Sequence, residues 1–163
     1  MNAIKLLDQQ HDEVSALFKK IDAAKGNAKV ALFDQVADAL AIHCTIEEKI
    51  FYPAVFGANT EDLLMEAVEE HLGAKRLIAD LLSMTPDDPH YQAKCAVLSE
   101  QVAHHVKEER AELFTKARRL LDEDQLEALG QEMQAQTLQL QNTNARRAVP
   151  AQTAHAAELR HGA

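Results

Sequence analysis

The sequence predicts an all-α fold, an up-down-up-down four-helix bundle with a short extra C-terminal helix and a flexible tail. Three observations point there. Helix formers (Ala, Leu, Glu, Gln and Lys) dominate the 163 residues. With Gly at 5 and Pro at 4, there is too little punctuation for a β fold with its many turns. Apolar residues recur by threes and fours along four long segments, and the short loops between them set neighbouring helices antiparallel.

The first helix is expected over residues 2–24, with Ile4, Leu7, Val14, Leu17, Phe18 and Ile21 inward and Gly26-Asn27 as its stop. The second runs over 28–56 on Phe33, Val36, Leu40, Ile50 and Ala54, with Pro53 bending or ending it. Thr60 is the expected N-cap of the third, over 61–83, which turns Leu64, Ala67, Ala74, Ile78 and Leu81 inward. The loop around Pro86 and Pro89 leads to a fourth that starts near His90 and carries Leu98, Val102, Leu113 and Leu120. Asp122-Glu123-Asp124 caps a short further helix to about residue 139, with Leu126, Leu129 and Met133 on one face. From Asn142 large apolar groups are few. The division expected is a bundle over 1–120, a short helix over 121–141 and a flexible tail over 142–163.

Charge narrows the function. The formal net charge is −9. Such a balance argues against nucleic acid and against anionic membranes as partners. No apolar run is long enough for a membrane span. The start is interrupted by charge and lacks a signal-peptide shape, and the 2 Cys, Cys44 and Cys95, form no disulfide framework. A cytoplasmic protein with reduced thiols is expected.

Histidine carries the chemistry. Of 8 His, four fall on the inward stripes, one per helix: His11, His43, His71 and His105. Glu47 and Glu109 follow the second and fourth of these at i+4, on the same face. In an antiparallel bundle these six meet in one or two adjacent layers. Four imidazoles and two carboxylates in a dry core are costly without partners, and a metal centre supplies them. The chain is also internally duplicated. His11 to His71 spans 60 residues and His43 to His105 spans 62. Both second members read His-x3-Glu-x3-apolar-aromatic, which gives two metal half-sites with two Glu to bridge them. In the fourth helix His104 and Glu108 offer a competing register; the aromatic spacing favours His105 and Glu109.

Imidazole with carboxylate suits iron, manganese or zinc. Ferritin-like bundles place Glu three residues before His, but here Leu40, Val68 and Val102 stand there. The set resembles the hemerythrin-like family, the HHE cation-binding domain, over roughly residues 1–120. That resemblance implies a non-haem di-iron centre with two Fe per chain. In it His11 and His43 serve one iron, His71 and His105 the other, and Glu47 and Glu109 bridge beside an oxo or hydroxo group. Oxygen-carrying members have a further His where Lys75 stands here, and an Asp in place of Glu109. The set is more similar to bacterial members tied to repair of iron–sulfur centres and to nitrosative or oxidative stress. It implies O2, NO or peroxide as the small ligand, in sensing, storage or stress response. Turnover of peroxide or NO is the alternative.

The remaining polar residues are expected to be bland. Cys44 packs; Glu48 and Glu70, beside Glu47 and His71, either support the ligands or line an entry path, or else lie on a solvated face, which is the favoured reading. His104 flanks the site, His90 starts a helix, and His155 and His161 are solvated. Phe51, Tyr52 and Phe114 cap the core.

Overall fold

Local signals in the sequence set the helix ends. Asn2 caps α1 (Ala3–Ala23) by accepting from the Lys5 amide. Gly26, at φ +59, takes the left-handed turn that leads into α2 (Asn27–Ile46). The glycine therefore sits at the start of the second helix rather than closing the first. Thr60 does precede α4 (Glu61–Leu82), but its hydroxyl donates to the Val55 carbonyl at 2.6 Å and makes no cap bond to the helix. His90 occupies the N-cap of α5 (Tyr91–Glu108). Asp122 and Gln125 form a reciprocal capping box on α7 (Glu123–Leu140).

The computed structural model describes residues 1–159. It is an antiparallel four-helix bundle, and among the described residues there is no strand. The rods are α1; α2 with its continuation; α4; and α5 with its continuation. Both continuations begin with a π-helical turn, Glu47–Phe51 and Glu109–Leu113, followed by α3 (Tyr52–Val55) and α6 (Phe114–Leu120). In each, an amide five residues on returns to the Glu carbonyl: Tyr52 to Glu47 and Phe114 to Glu109. Pro53 is not the common cause, since the second turn has no proline. What the two share is the Glu that opens them. One extra residue per turn rotates everything that follows. Phe51, Tyr52 and Val55 are buried where Ile50 and Ala54 were expected, and Ala117 is buried while Leu120 is 48% exposed.

Two apolar clusters sit at opposite ends. One gathers Ile4, Leu7, Phe51, Leu64, Phe114 and Met133; the other Val14, Ile21, Phe33, Leu40, Ile78 and Leu98. The residues between them along every rod are the predicted ligands. α7 lies across α1 and α2. Its Gly130 is in close approach to the chain start, where an added Cβ would meet the Met1 carbonyl oxygen at 2.1 Å and the Asn2 carbonyl carbon at 2.8 Å.

The expected flexible tail is corrected over 142–159. Asn142 and Asn144 adopt positive φ, which turns the chain back onto the bundle. A 3-10 helix, Ala145–Gln152, then packs on α2 and α4. Val149 is buried in one apolar cluster, and Ala156, Ala157 and Leu159 pack against the other. Arg146 is held by Asp38 through its backbone N–H and its guanidinium, both at 2.9 Å, and Arg76 donates to the Thr153 carbonyl. One buried valine and two anchored arginines hold a segment that composition alone reads as loose. His155 is exposed as expected. His161 lies outside the described residues. Among the described residues, no helix is long and apolar enough to cross a membrane.

Candidate metal centre

The 3.6-residue period places His11 on α1, His43 on α2, His71 on α4 and His105 on α5, all facing the bundle axis and all buried. Glu47 and Glu109, at the first positions of the π turns, are 0% and 3% exposed. All six predicted residues meet in one layer. The Nε2 atoms of His11 and His43 are 3.0 Å apart, and those of His71 and His105 are 3.3 Å apart. Glu109 spans the two pairs: Oε1 lies 3.1 Å from His11 Nε2 and Oε2 lies 3.2 Å from His105 Nε2. Glu47 Oε1 does the same, at 2.9 Å from His43 Nε2 and 3.3 Å from His71 Nε2. Two compact triads result, His11–His43–Glu109 and His71–His105–Glu47. His104 is exposed and pairs with Glu108 at 3.1 Å, so the fourth helix takes the expected register.

The outward edges of the rings decide which nitrogen faces inward. His43 Nδ1 donates to Gln10 Oε1 at 2.7 Å, His71 Nδ1 to Glu48 Oε2 at 2.7 Å and His105 Nδ1 to Glu70 Oε1 at 2.9 Å. Oxygen acceptors require the proton on Nδ1, so each neutral ring turns an Nε2 lone pair to the centre. Lone pairs then face lone pairs, and both oxygens of Glu47 and Oε1 of Glu109 are buried without a hydrogen-bond donor. Such a layer demands positive charge. Two half-clusters of imidazole and carboxylate fit metal ions, and Cys44, grouped with Glu48 and His71, belongs to neither triad.

In the metal-free protein, protons supply that charge. Burial would lower His71 and His105, but the groups around them win. Cys44, Glu47 and Glu48 raise His71, and Glu109, Glu47 and Glu70 raise His105, both well above the usual imidazole range. Burial acts to raise Glu47, and is outweighed by the charge on His43 and, once the inward nitrogens carry protons, by hydrogen bonds from its neighbours, which hold it well below the usual carboxylate range. Tyr52 is pushed well above a normal phenol by burial, then by Glu109 and Glu47. It stays protonated and donates to Glu109 Oε2 at 2.7 Å.

The profile described as Hemerythrin HHE cation binding domain matches residues 2–117. The chain belongs to this family. A protein named DNA nickase from Nostoc sp. is 27% identical over 142 residues, 86% of this chain and 40% of that protein. The chain thus spans less than half the length of that relative. The uncharacterised protein Rv2633c of Mycobacterium tuberculosis is 27% identical over 146 residues, 88% of this chain and 89% of that one. A crystal structure of an HHE cation binding domain-containing protein, the Rv2633c homologue from Mycobacterium kansasii, is similar with a TM-score of 0.77 at 26% identity. It covers 93% of this chain and 91% of its own.

This HHE domain also holds polar side chains whose part only the packing of its rods decides. Glu48 and Glu70 are not on a solvated face. Each grips a histidine of the layer, and Lys75, itself buried, holds both oxygens of Glu48 at 3.0 and 3.1 Å. Tyr52 is more than a core cap, because its hydroxyl reaches the layer. Gln10 was unmarked. A signal did exist: Gln10 and Glu70 each immediately precede a stripe histidine, and each reaches across to the histidine of the next rod. Cys44 packs against the same layer, grouped with Glu48 and His71.

Proposed function

We propose that this HHE domain binds a non-haem di-iron centre through His11, His43, Glu47, His71, His105 and Glu109, and meets O2, NO or peroxide there in sensing, storage or stress response. The convergence of four inward Nε2 lone pairs on carboxylate oxygens that have no donor carries this reading. Glu47 and Glu109 reach both histidine pairs, as bridging ligands must. Six protein ligands do not saturate two octahedral ions, so positions remain for a small exogenous ligand. An apolar cavity of about 30 Å³ adjoins the layer, lined by His11, His43, Cys44, His71, Val102 and His105. It has room for about one or two water-sized molecules, which suits a diatomic or peroxide.

Iron supplies redox chemistry and open coordination positions when bound. The chain's own residues do the rest. Gln10, Glu48 and Glu70 fix three rings with Nε2 inward, Tyr52 orients Glu109, and the apolar cluster at each end excludes water. Two buried free thiols support a reducing, cytoplasmic setting, and the acidic balance supports small molecules over nucleic acid as partners.

The test is metal content after purification from iron-replete cells, with optical spectra before and after air, peroxide and nitric oxide. About two irons per chain and spectra that respond to at least one ligand are expected. Zinc alone, or no metal, overturns the reading. Sustained consumption of peroxide or NO would move the function from binding to catalysis.

A further inference from the structure

The internal duplication places His71 opposite His11 and His105 opposite His43. Residues around these rings also correspond, and their chemistry does not match. Gln10 and Glu70 correspond: the neutral amide backs His43, and the carboxylate backs His105. Glu48 and Arg110 correspond, each following the Glu of its rod. Glu48 accepts from His71 Nδ1 and is held by Lys75. Arg110 instead binds Asp8 at 2.6 Å and Asp12 at 3.0 Å. His11 Nδ1 is left without a hydrogen-bond partner, with Asp8 at 3.7 Å. One half therefore has both imidazoles backed by carboxylates. The other has one backed by an amide and one by nothing within hydrogen-bond distance.

We propose, building on the di-metal reading, that the two halves are inequivalent sites and that the His71–His105 half binds a divalent cation first and more tightly. A carboxylate that accepts the Nδ1 proton raises the basicity of Nε2 and locks the ring, which strengthens the bond to a cation. An amide oxygen does this less, and the guanidinium of Arg110 draws Asp8 away from His11. Tyr52 works in the opposite direction by donating to Glu109 Oε2, on the His105 side. It is one bond to a carboxylate that also reaches His11, so its effect is shared between the halves, whereas Glu48 and Glu70 act on His71 and His105 alone. The balance stays with the two carboxylates. Glu48 and Glu70 are positioning residues in this scheme, and Lys75 positions Glu48.

The test is an anaerobic titration of the metal-free full chain with Co2+, followed by calorimetry and visible absorption. Two binding steps are expected, about tenfold or more apart. Glu48→Gln and Glu70→Gln should each weaken the first step by about 10–100-fold, the usual cost of losing such a partner, and leave the second in place. Gln10→Glu is the decisive variant, because it should strengthen the second step and narrow the gap, a gain that damage to the fold would not produce. Circular dichroism of the metal-free variants checks that they remain helical. Two equal steps in the unmodified chain, or a second step that Gln10→Glu does not strengthen, overturn the inequivalence and leave the two-metal reading standing. Fewer than two Co2+ bound at saturation overturns both.

Discussion

The middle layer of this bundle and its two ends are held by opposite physics. At the ends, Phe51, Phe114 and Leu64 on one side and Phe33, Ile21 and Leu98 on the other are sealed from water and need no partner beyond close packing. In the middle, six polar side chains are sealed just as thoroughly, but their lone pairs oppose one another unless protons or a cation supply positive charge. Burial alone therefore does not distinguish core from site. Donor accounting does: at the ends nearly every buried atom is content, whereas at the centre the carboxylate oxygens are orphaned. The ends are expected to fold the chain without metal, at the cost of the middle, and metal should remove that cost; circular dichroism of the metal-free protein checks it.

The largest expected effect breaks the middle. Glu47→Ala or Glu109→Ala should lose both metals, because each carboxylate reaches both histidine pairs, while His104→Ala should keep both; metal analysis of the purified variants decides. Loss of metal from His104→Ala with retention in His105→Ala would show the register in α5 to be wrong by one residue.

Breaking an end should cost stability and spare the metal set. Phe51→Ala or Phe114→Ala should destabilise by about 3–5 kcal/mol, as large-to-small changes in cores do, read by denaturant unfolding. Gly130→Ala presses a Cβ against the backbone at Met1 and Asn2. A loss of about 1–3 kcal/mol is expected, the usual cost of overpacking.

pH sharpens the contrast. In the metal-free protein His71 and His105 hold protons more tightly than in the unfolded chain, where the ordinary value is 6.5. That stabilisation is fully present below the unfolded value and is lost as pH rises through the raised folded values. Metal needs the same rings neutral, so its stabilisation grows over the same interval. The gap between melting temperatures of loaded and metal-free protein should widen from about pH 6 to pH 8, and a gap that narrows would contradict the ligand set. The smallest effect concerns the C-terminal strap. Arg146→Ala removes a partly exposed ion pair with Asp38 and should cost about 0.5–1 kcal/mol without altering metal content.

Particular residues show how far the sequence could be read. Every stripe up to the two glutamates was legible, because a regular α-helix repeats and His11, His43, His71 and His105 fall on its beat. Beyond Glu47 and Glu109 the reading slipped in part, although Leu113 is buried as expected. Ile50 and Ala54 gave way to Phe51 and Val55, and Leu120 turned outward. A π turn leaves no mark in composition, and Pro53 pointed to a cause that the proline-free second turn shows to be wrong. Residues 142–159 were misread because a strap needs few apolar groups once Asp38 and the Arg76 side chain are waiting for it. Glu48 and Glu70 were read as solvated in preference to supporting the ligands, and Gln10 was unmarked, because all three act between rods, and no period within one helix can report a contact to another.

The sequence by itself determined the helices, their antiparallel order and the six residues of the polar layer, since all of these follow from periodicity along one chain and from the cost of burying charge. Tertiary structure alone decided which ring nitrogens face inward, how each carboxylate spans the histidine pairs and which half has the stronger supports. Those depend on distances of about 3 Å between atoms on different helices, set by how the π turns rotate the rods and by which neighbour each outward Nδ1 meets.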